Sequence, residues 1–520
     1  TAMGTTGGYA ISPGATLAPI PGATDPVASF PVGAAITPDG RHLFVGSTSL
    51  YGFEIAADGS LTAMSGSPFG GPQVYYQLAI TPGGSRLYAA GASSNAVFAF
   101  NLGADGSVTA VPGSPFAAGT FSMGIAISPD GQHVFSSNRN SHNISAYDVA
   151  ANGSLLPVAG SPFPTGAGTA PEFISVTPDG RHLYAGYNAN AAVGGFAIAA
   201  TGALSPVAGS PFAAGTGPWG AAVSPDGANV YVGSENAANV SGYAIGASGS
   251  LLPLPGSPYP SGGTFTRTVA IAPDGSAAFA VNAGAGGVSR FTRNAADGVL
   301  APVAPLAPTG TGPTGAAITP NQPPVAGFEP TVSTSREVAF TSTSTDPDSP
   351  GIATYSWDFG DGQTLSGPAA DPVHTYAADG TYQVRLAVTD SEGCSTNLAF
   401  TGQTASCTGG PDAALTQPVR VATRVQGARY KAGASEPVLL AVTNATVKAG
   451  AKKLKLKKVK PADVAAGKLK KVKLKPAGKR GGKAILAALA AGKRVRSSFQ
   501  LLLTDDAGNV AKKKLKVKLK

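Results

Sequence analysis

The chain has 520 residues, with Gly 70, Pro 43, 43% apolar and only 12% charged residues. Abundant Gly and Pro exclude a helix-rich protein, because both break helices. The apolar fraction is too high for disorder and sufficient for sizeable cores, and Gly lacks the three-residue period of collagen. No run of eighteen apolar residues occurs, so no membrane-spanning helix is expected. The net charge of +9 hides an asymmetry. Residues 1–410 hold nine Arg, no Lys and 23 acidic residues, a net of −14. Residues 411–520 hold 22 Lys, six Arg and five acidic residues, a net of +23. The two parts are therefore separate electrostatic units. The chain opens at Thr1 without Met, a charged n-region or an apolar h-region, so a removed leader or a trimmed start is expected.

A short phrase recurs through residues 1–322: ITPDG at 36–40, ITPGG at 80–84, ISPDG at 127–131, VTPDG at 176–180, VSPDG at 223–227, IAPDG at 271–275 and a decayed ITPNQ at 318–322. Its prolines stand at 38, 82, 129, 178, 225, 273 and 320. A spacing of about 40–50 residues between short apolar runs is that of propeller blades. In one repeat, Gly124–Ser128 reads as a buried strand and Pro129-Asp130-Gly131 as a turn. His133–Ser136 and Asn143–Val149 read as the next strands and Ser154–Val158 as an outer edge, where a proline is tolerated. Seven first strands imply seven blades. The N-terminal Tyr9–Ser12 and Thr16–Ile20 read as third and fourth strands that close the ring, with the second strand of that blade missing or degenerate.

Ser224-Pro-Asp-Gly227, Val230–Ser234 and Asn239–Tyr243 resemble the YVTN-type and lactonase-like seven-bladed β-propellers. That family spans 6-phosphogluconolactonases, muconate cyclases and many surface proteins without known activity, so the resemblance implies fold more than chemistry. It also implies that residues just ahead of the first strands line the channel mouth, where the family places charged and His side chains. Six positions before each anchor proline stand Val32, Tyr76, Met123, Glu172, Trp219, Arg267 and Thr314. Glu172 suits a general base and Arg267 an oxyanion stabiliser. A ligand pocket without catalysis would use Tyr76, Trp219 and Arg267. No histidine joins this ring. His42, His133 and His182 follow the turn at equivalent places, which marks them as structural.

Residues 323–410 read as a second, β-sandwich domain. Asp346-Pro-Asp348, Trp357-Asp-Phe-Gly-Asp-Gly362, His374-Thr-Tyr376 and Gly380-Thr-Tyr382 closely resemble the PKD domain, an extracellular spacer or binding module. Some PKD domains hold calcium, and Asp346 and Asp348 are the candidate ligands here; no other cofactor is expected. Cys394 and Cys407 are either two thiols or one disulfide closing a short loop in an oxidising compartment.

In residues 411–520, Lys453–Lys460, Lys471–Lys475 and Lys514–Lys520 alternate Lys with Leu or Val, the period of strands with one cationic face. Lys483–Ala491 reads as one short helix. A lysine-rich Ig-like sandwich is expected. Lys453, Lys455, Lys457, Lys471, Lys473, Lys475, Lys514, Lys516 and Lys518 would form a patch for an anionic polymer. Nucleic acid is not the expected partner, since Arg and aromatics are scarce there. The overall expectation is an all-β chain: a seven-bladed β-propeller at 1–322, a PKD domain at 323–410 and an Ig-like domain at 411–520. Its expected role is secreted or cell-surface binding to envelope polysaccharide, another anionic polymer or surface proteins. A lactonase-like hydrolase acting at the mouth is the alternative.

Overall fold

The computed structural model describes residues 4–519 apart from 13, 24–25, 28–30, 285, 310–311, 334–335, 348–350, 392, 396–398, 401–404, 408–410, 422–428, 434–437, 450–451, 456–458, 465–468, 474–494 and 506–509. For residues 4–5, 12, 26–27, 399–400, 405–407, 411 and those beyond 421 it describes the backbone alone. The described residues are all-β, with one 3-10 turn at Pro411–Ala413. The helix expected at 483–491 lies outside them. The chain forms two compact units. One comprises 1–326, 344–355 and 387–415; the other comprises 327–343, 356–386 and 416–520.

Each of the first six repeats folds into a four-stranded antiparallel meander. Blade three runs Ser122–Ile127, His133–Asn138, Asn143–Val149 and Leu155–Pro157. Blades one, two, four, five and six start their inner strands at Gly33, Tyr75, Pro171, Pro218 and Thr266. The inner strands are largely buried on both faces, which explains their unbroken apolar runs. Phe163–Pro164 and its counterparts in blades two, four and five add a fifth short strand against the third.

The turn between inner and second strands is held by one device. In blade four Thr177 donates to Asp179 at 2.5 Å, the Arg181 amide donates to the same carboxylate, and Gly180 takes φ +71°. Hydrophobic cores fill the spaces between neighbouring blades; Phe135, Ile144, Val176 and Phe196 share one. Second-strand tyrosines also cross that seam. Tyr88, Tyr184 and Tyr231 each donate to the carbonyl of an outer-turn glycine in the next blade: Gly153, Gly249 and Gly298. His133 and His182 sit in the same seam, against Gly202 and Gly249.

The ring closes as the repeat implies. Residues 313–318 pass between the inner strands of blades six and one, where Thr268 donates to the Thr314 carbonyl and Thr314 to the Pro31 carbonyl. The N-terminal hairpin, Tyr9–Ser12 with Thr16–Pro19, packs Ala15 and Leu17 with Phe279 and Ile318.

Beyond the ring lie two further sheets. One orders Phe328–Val332, Glu337–Ser342 and Val373–Thr375; the other Thr364–Gly367, Ile352–Asp358, Gly380–Asp390 and Ala414–Val421. The last of these strands lies wholly beyond residue 410. Phe328, Phe340, Trp357 and Phe359 form an aromatic core. Further on, Val438–Ala449 pairs with Val495–Asp505, which pairs with Val510–Leu519, while Arg429–Gly433 pairs with Leu469–Lys473. Lys453, Lys455, Lys471, Lys473, Lys514, Lys516 and Lys518 all stand on strands, as the alternation requires. Lys457 and Lys475 lie outside the described residues.

Candidate functional site at the propeller mouth

In blades two to six the second strand pairs continuously with the inner strand except at its mouth end, where the register slips. The slipped positions include Tyr76, Met123, Glu172, Trp219 and Arg267. Such bulges re-aim side chains. The neighbouring backbones are close enough to demand small residues: a Cβ on Gly124 would lie 2.5 Å from the Glu172 carbonyl, which also accepts from the Ser137 hydroxyl.

Val32, Met123 and Phe173 are buried together, with Tyr76, Phe121 and Trp219 packed on them. Five blades thus contribute to one apolar plug. Behind it, the buried Gln77 ties three blades together. Its Oε1 accepts from the Ile125 and Ile174 amides at 3.0 and 3.1 Å, and its Nε2 donates to the Ile174 carbonyl at 3.0 Å.

Glu172 and Arg267 are not each other's partners. Arg139 of blade three donates to Glu172 of blade four at 2.7 Å. Glu235 of blade five accepts from Arg267 of blade six at 2.7 and 3.0 Å. The two pairs have the same inter-blade placement with the charges exchanged. Arg267 also stacks over Trp219, 4.6 Å from the ring centre, a cation–π contact. Glu172 is fully buried. Burial pushes its carboxyl up to about 7, outweighing the Arg139 charge, and its Oε2 has no hydrogen-bond partner. The buried Trp219 Nε1 likewise lacks an acceptor.

Arg139, Glu235 and Gln77 are neighbours of the candidate site that the mouth positions alone do not reveal. Arg139 and Glu235 each stand ten residues after an anchor proline, and that shared place in the repeat is the sequence signal that marks them. His133 Nδ1 lies 2.9 Å from an Asp148 carboxylate oxygen, in the seam and outside the apolar plug.

Elsewhere, Asp346 has both carboxylate oxygens buried without hydrogen-bond partners, and Asp348 lies outside the described residues. Among the described residues no cluster of three or more His, Cys, Asp or Glu is placed to hold a metal. Asp361 is engaged differently: it pairs with the buried His374 at 2.8 Å, and His374 stacks on Phe359. Cys394 is buried, and the side chain of Cys407 lies outside the described residues.

Residues 101–219 match the family described as "Lactonase, 7-bladed beta-propeller", and residues 321–404 match the PKD domain. Among solved structures, a 6-phosphogluconolactonase-like protein of Bacteroides fragilis superposes with a TM-score of 0.51 at 18% identity, over 60% of this chain and 96% of its own. The periplasmic gluconolactonase of Pseudomonas aeruginosa gives 0.51 at 20% identity, over 59% and 94%. A microbial collagenase of Vibrio alginolyticus is 44% identical over 98 residues, 19% of this chain and 11% of that protein. The chain therefore carries a lactonase-like β-propeller followed by a PKD domain.

Proposed function

We propose that this is a secreted or cell-surface binding protein, with a recognition site at the propeller mouth and a cationic C-terminal region that docks to anionic envelope polymers. The observation that carries this reading is the neutralised mouth. Each of its two carboxylates is engaged by an arginine, and the ring between them is filled by apolar and aromatic side chains. Such a surface binds better than it activates water. Tyr76, Trp219 and Arg267 are the ligand-binding residues in this reading. The PKD match and the periplasmic location of the Pseudomonas neighbour support an extracytoplasmic setting.

Asp346 suits a calcium ion, because two buried, unpartnered carboxylate oxygens are the hard donors that ion takes; Asp348 would join it. A Cys394–Cys407 disulfide belongs to the same reading, and no described cysteine is free. In the same reading the propeller ends at residue 322 and the PKD domain at residue 410.

The test is sedimentation of the full chain with isolated bacterial envelopes across a salt series. Binding that falls steeply between about 0.05 and 0.5 M salt supports electrostatic docking. Salt-independent binding, or none, removes the cationic anchor from the account.

A second reading rests on one observation: a carboxyl pushed up to about 7 holds its proton near neutrality, as a general acid–base requires. In a lactonase-like hydrolase, Glu172 would exchange a proton with water and Arg267 would stabilise the oxyanion. Turnover of a lactone that Glu172→Gln abolishes would establish that reading.

A further inference from the structure

Four seams between neighbouring blades are closed at their turn end, far from the mouth. A Cβ on the outer-turn glycine of the next blade would lie 2.2–2.6 Å from Arg86, His133, His182 or Asn229, at Gly153, Gly202, Gly249 and Gly298 respectively. All four glycines are buried. The seam between blades one and two differs. His42 holds the equivalent place, but its ring stays 3.6 Å from a Cβ on Gly106, which is only half-buried. The cross-strand neighbour of His133 is Asp148; that of His42 is Glu54, and the His42 ring has no hydrogen-bond partner among the described residues. Phe44 stands where Tyr88, Tyr184 and Tyr231 donate to the glycine carbonyl, and it has no hydroxyl to give. A cavity of about 600 Å³ opens at this place, with Asp39, His42, Phe44, Met64, Gly84 and Leu102 in its wall.

The seam between blades five and six shows which chemical group such a place holds. Arg293 enters it from blade six. Its guanidinium donates to Asp226 Oδ2 and Asn229 Oδ1, both at 2.6 Å, and to the Tyr231 hydroxyl and the Gly275 carbonyl at 3.0 and 3.1 Å. Counted from the anchor prolines, the counterparts of Asp226, Asn229, Tyr231, Gly275 and Arg293 are Asp39, His42, Phe44, Gly84 and Leu102. Asp39 is also arranged as Asp226 is. In both, Oδ1 accepts from the hydroxyl two residues before and from the amide two residues after. The Asp39 Oδ2, the oxygen that Arg293 meets on Asp226, has no partner among the described residues. No Lys or Arg is among the described residues that line the cavity. The acceptors of blade five are thus matched in blade one by a carboxylate and an imidazole, while leucine replaces the arginine that would answer them.

We propose that this cavity binds the guanidinium group of a ligand, between Asp39 and His42, with the ligand's alkyl stem on Phe44 and Met64. The planar fork of a guanidinium matches a carboxylate and suits a partly buried ion pair better than an ammonium does. The neutral His42 ring accepts a second hydrogen bond. The apolar wall takes the stem, as it takes the side chain of Leu102.

The test uses the full chain labelled with ¹³C at its methionine methyls. Met64 lines the cavity and Met123 belongs to the apolar plug at the mouth, so one spectrum reads the site and a distant control. N-butylguanidinium is titrated to about 20 mM, and its neutral isostere N-butylurea in parallel. The expected result is a saturable shift of Met64 alone, with a Kd at least about 10-fold tighter for N-butylguanidinium. Asp39→Asn should weaken it at least about 10-fold, and Leu102→Arg, which rebuilds the arrangement of blade six, should abolish it. An unmoved Met123 resonance reports that each variant is folded. The peptide Gly-Arg-Gly separates the sources: tighter binding of the peptide assigns the group to an arginine of a polypeptide, and tighter binding of N-butylguanidinium to a small molecule. No saturable Met64 shift with either, equal affinity for N-butylurea, or full affinity in folded Asp39→Asn overturns the proposal.

Discussion

The two ends of the inner strands follow opposite rules. At the turn end, blades one, three, four and five repeat one arrangement: Thr37, Ser128, Thr177 and Ser224 each donate to the aspartate two residues on. At the mouth end the equivalent residues are Val32, Tyr76, Met123, Glu172, Trp219, Arg267 and Thr314, with no repetition. The same backbone geometry carries both ends. Repetition therefore marks what every blade needs in order to fold, and departure from it marks positions that the fold leaves free to differ. The histidines belong to the first class, since His133 and His182 fill inter-blade seams. The two Arg–Glu pairs belong to the second.

The sharpest way to break this contrast is to remove the frame that holds the mouth. Gln77→Leu deletes three buried hydrogen bonds and strands the Ile125 and Ile174 amides. A loss of about 4 kcal/mol in urea unfolding is expected; a loss below about 1 kcal/mol would show that the mouth does not depend on that bridge.

Next comes Glu172, whose carboxyl rises from the ordinary 4.5 to about 7 on burial. The folded protein then holds more protons than the unfolded chain between those values, so stability falls as pH rises through the window. The slope integrates to about 3 kcal/mol. Glu172→Gln should flatten it, since Arg139 keeps partial solvent access. Urea midpoints at pH 4.5, 6 and 8 measure this, and an unchanged slope would place the titration elsewhere.

At the seam the effect is smaller. Gly249→Ala would put a Cβ 2.2 Å from the His182 ring at φ +79°, a cost of about 1–2 kcal/mol. Tyr184→Phe removes one inter-blade hydrogen bond and should cost about 1 kcal/mol. Thermal denaturation distinguishes both from the parent, and a neutral Gly249→Ala would argue against tight seams.

Much of this was readable from residue order alone. The anchor prolines located the inner strands, and Asn143–Val149 emerged with the boundaries its alternation suggests. The inner strand of blade three begins at Ser122, two residues earlier than its apolar run, because the bulge around Met123 interrupts pairing without ending the strand. The mouth positions were also legible, but their partners were not. Arg139 meets Glu172 from a different blade, and so does Glu235 with Arg267. A contact between successive repeats shows only when equivalent places in different repeats are compared, as at the tenth residue after the anchor proline. Gln77 was hidden for a related reason: it sits one residue past the mouth position and bonds residues nearly a hundred positions away. The alternating lysines did indicate strands, because a two-residue period needs no tertiary context.

The central claim, that the mouth recognises and does not hydrolyse, is tested most directly by incubating the full chain at pH 7 with 6-phosphogluconolactone and a panel of simple lactones. The account predicts loss of lactone at the buffer rate, identical for the parent and Glu172→Gln. Turnover well above buffer that disappears in Glu172→Gln and in Arg267→Ala, with both variants folded, would contradict it.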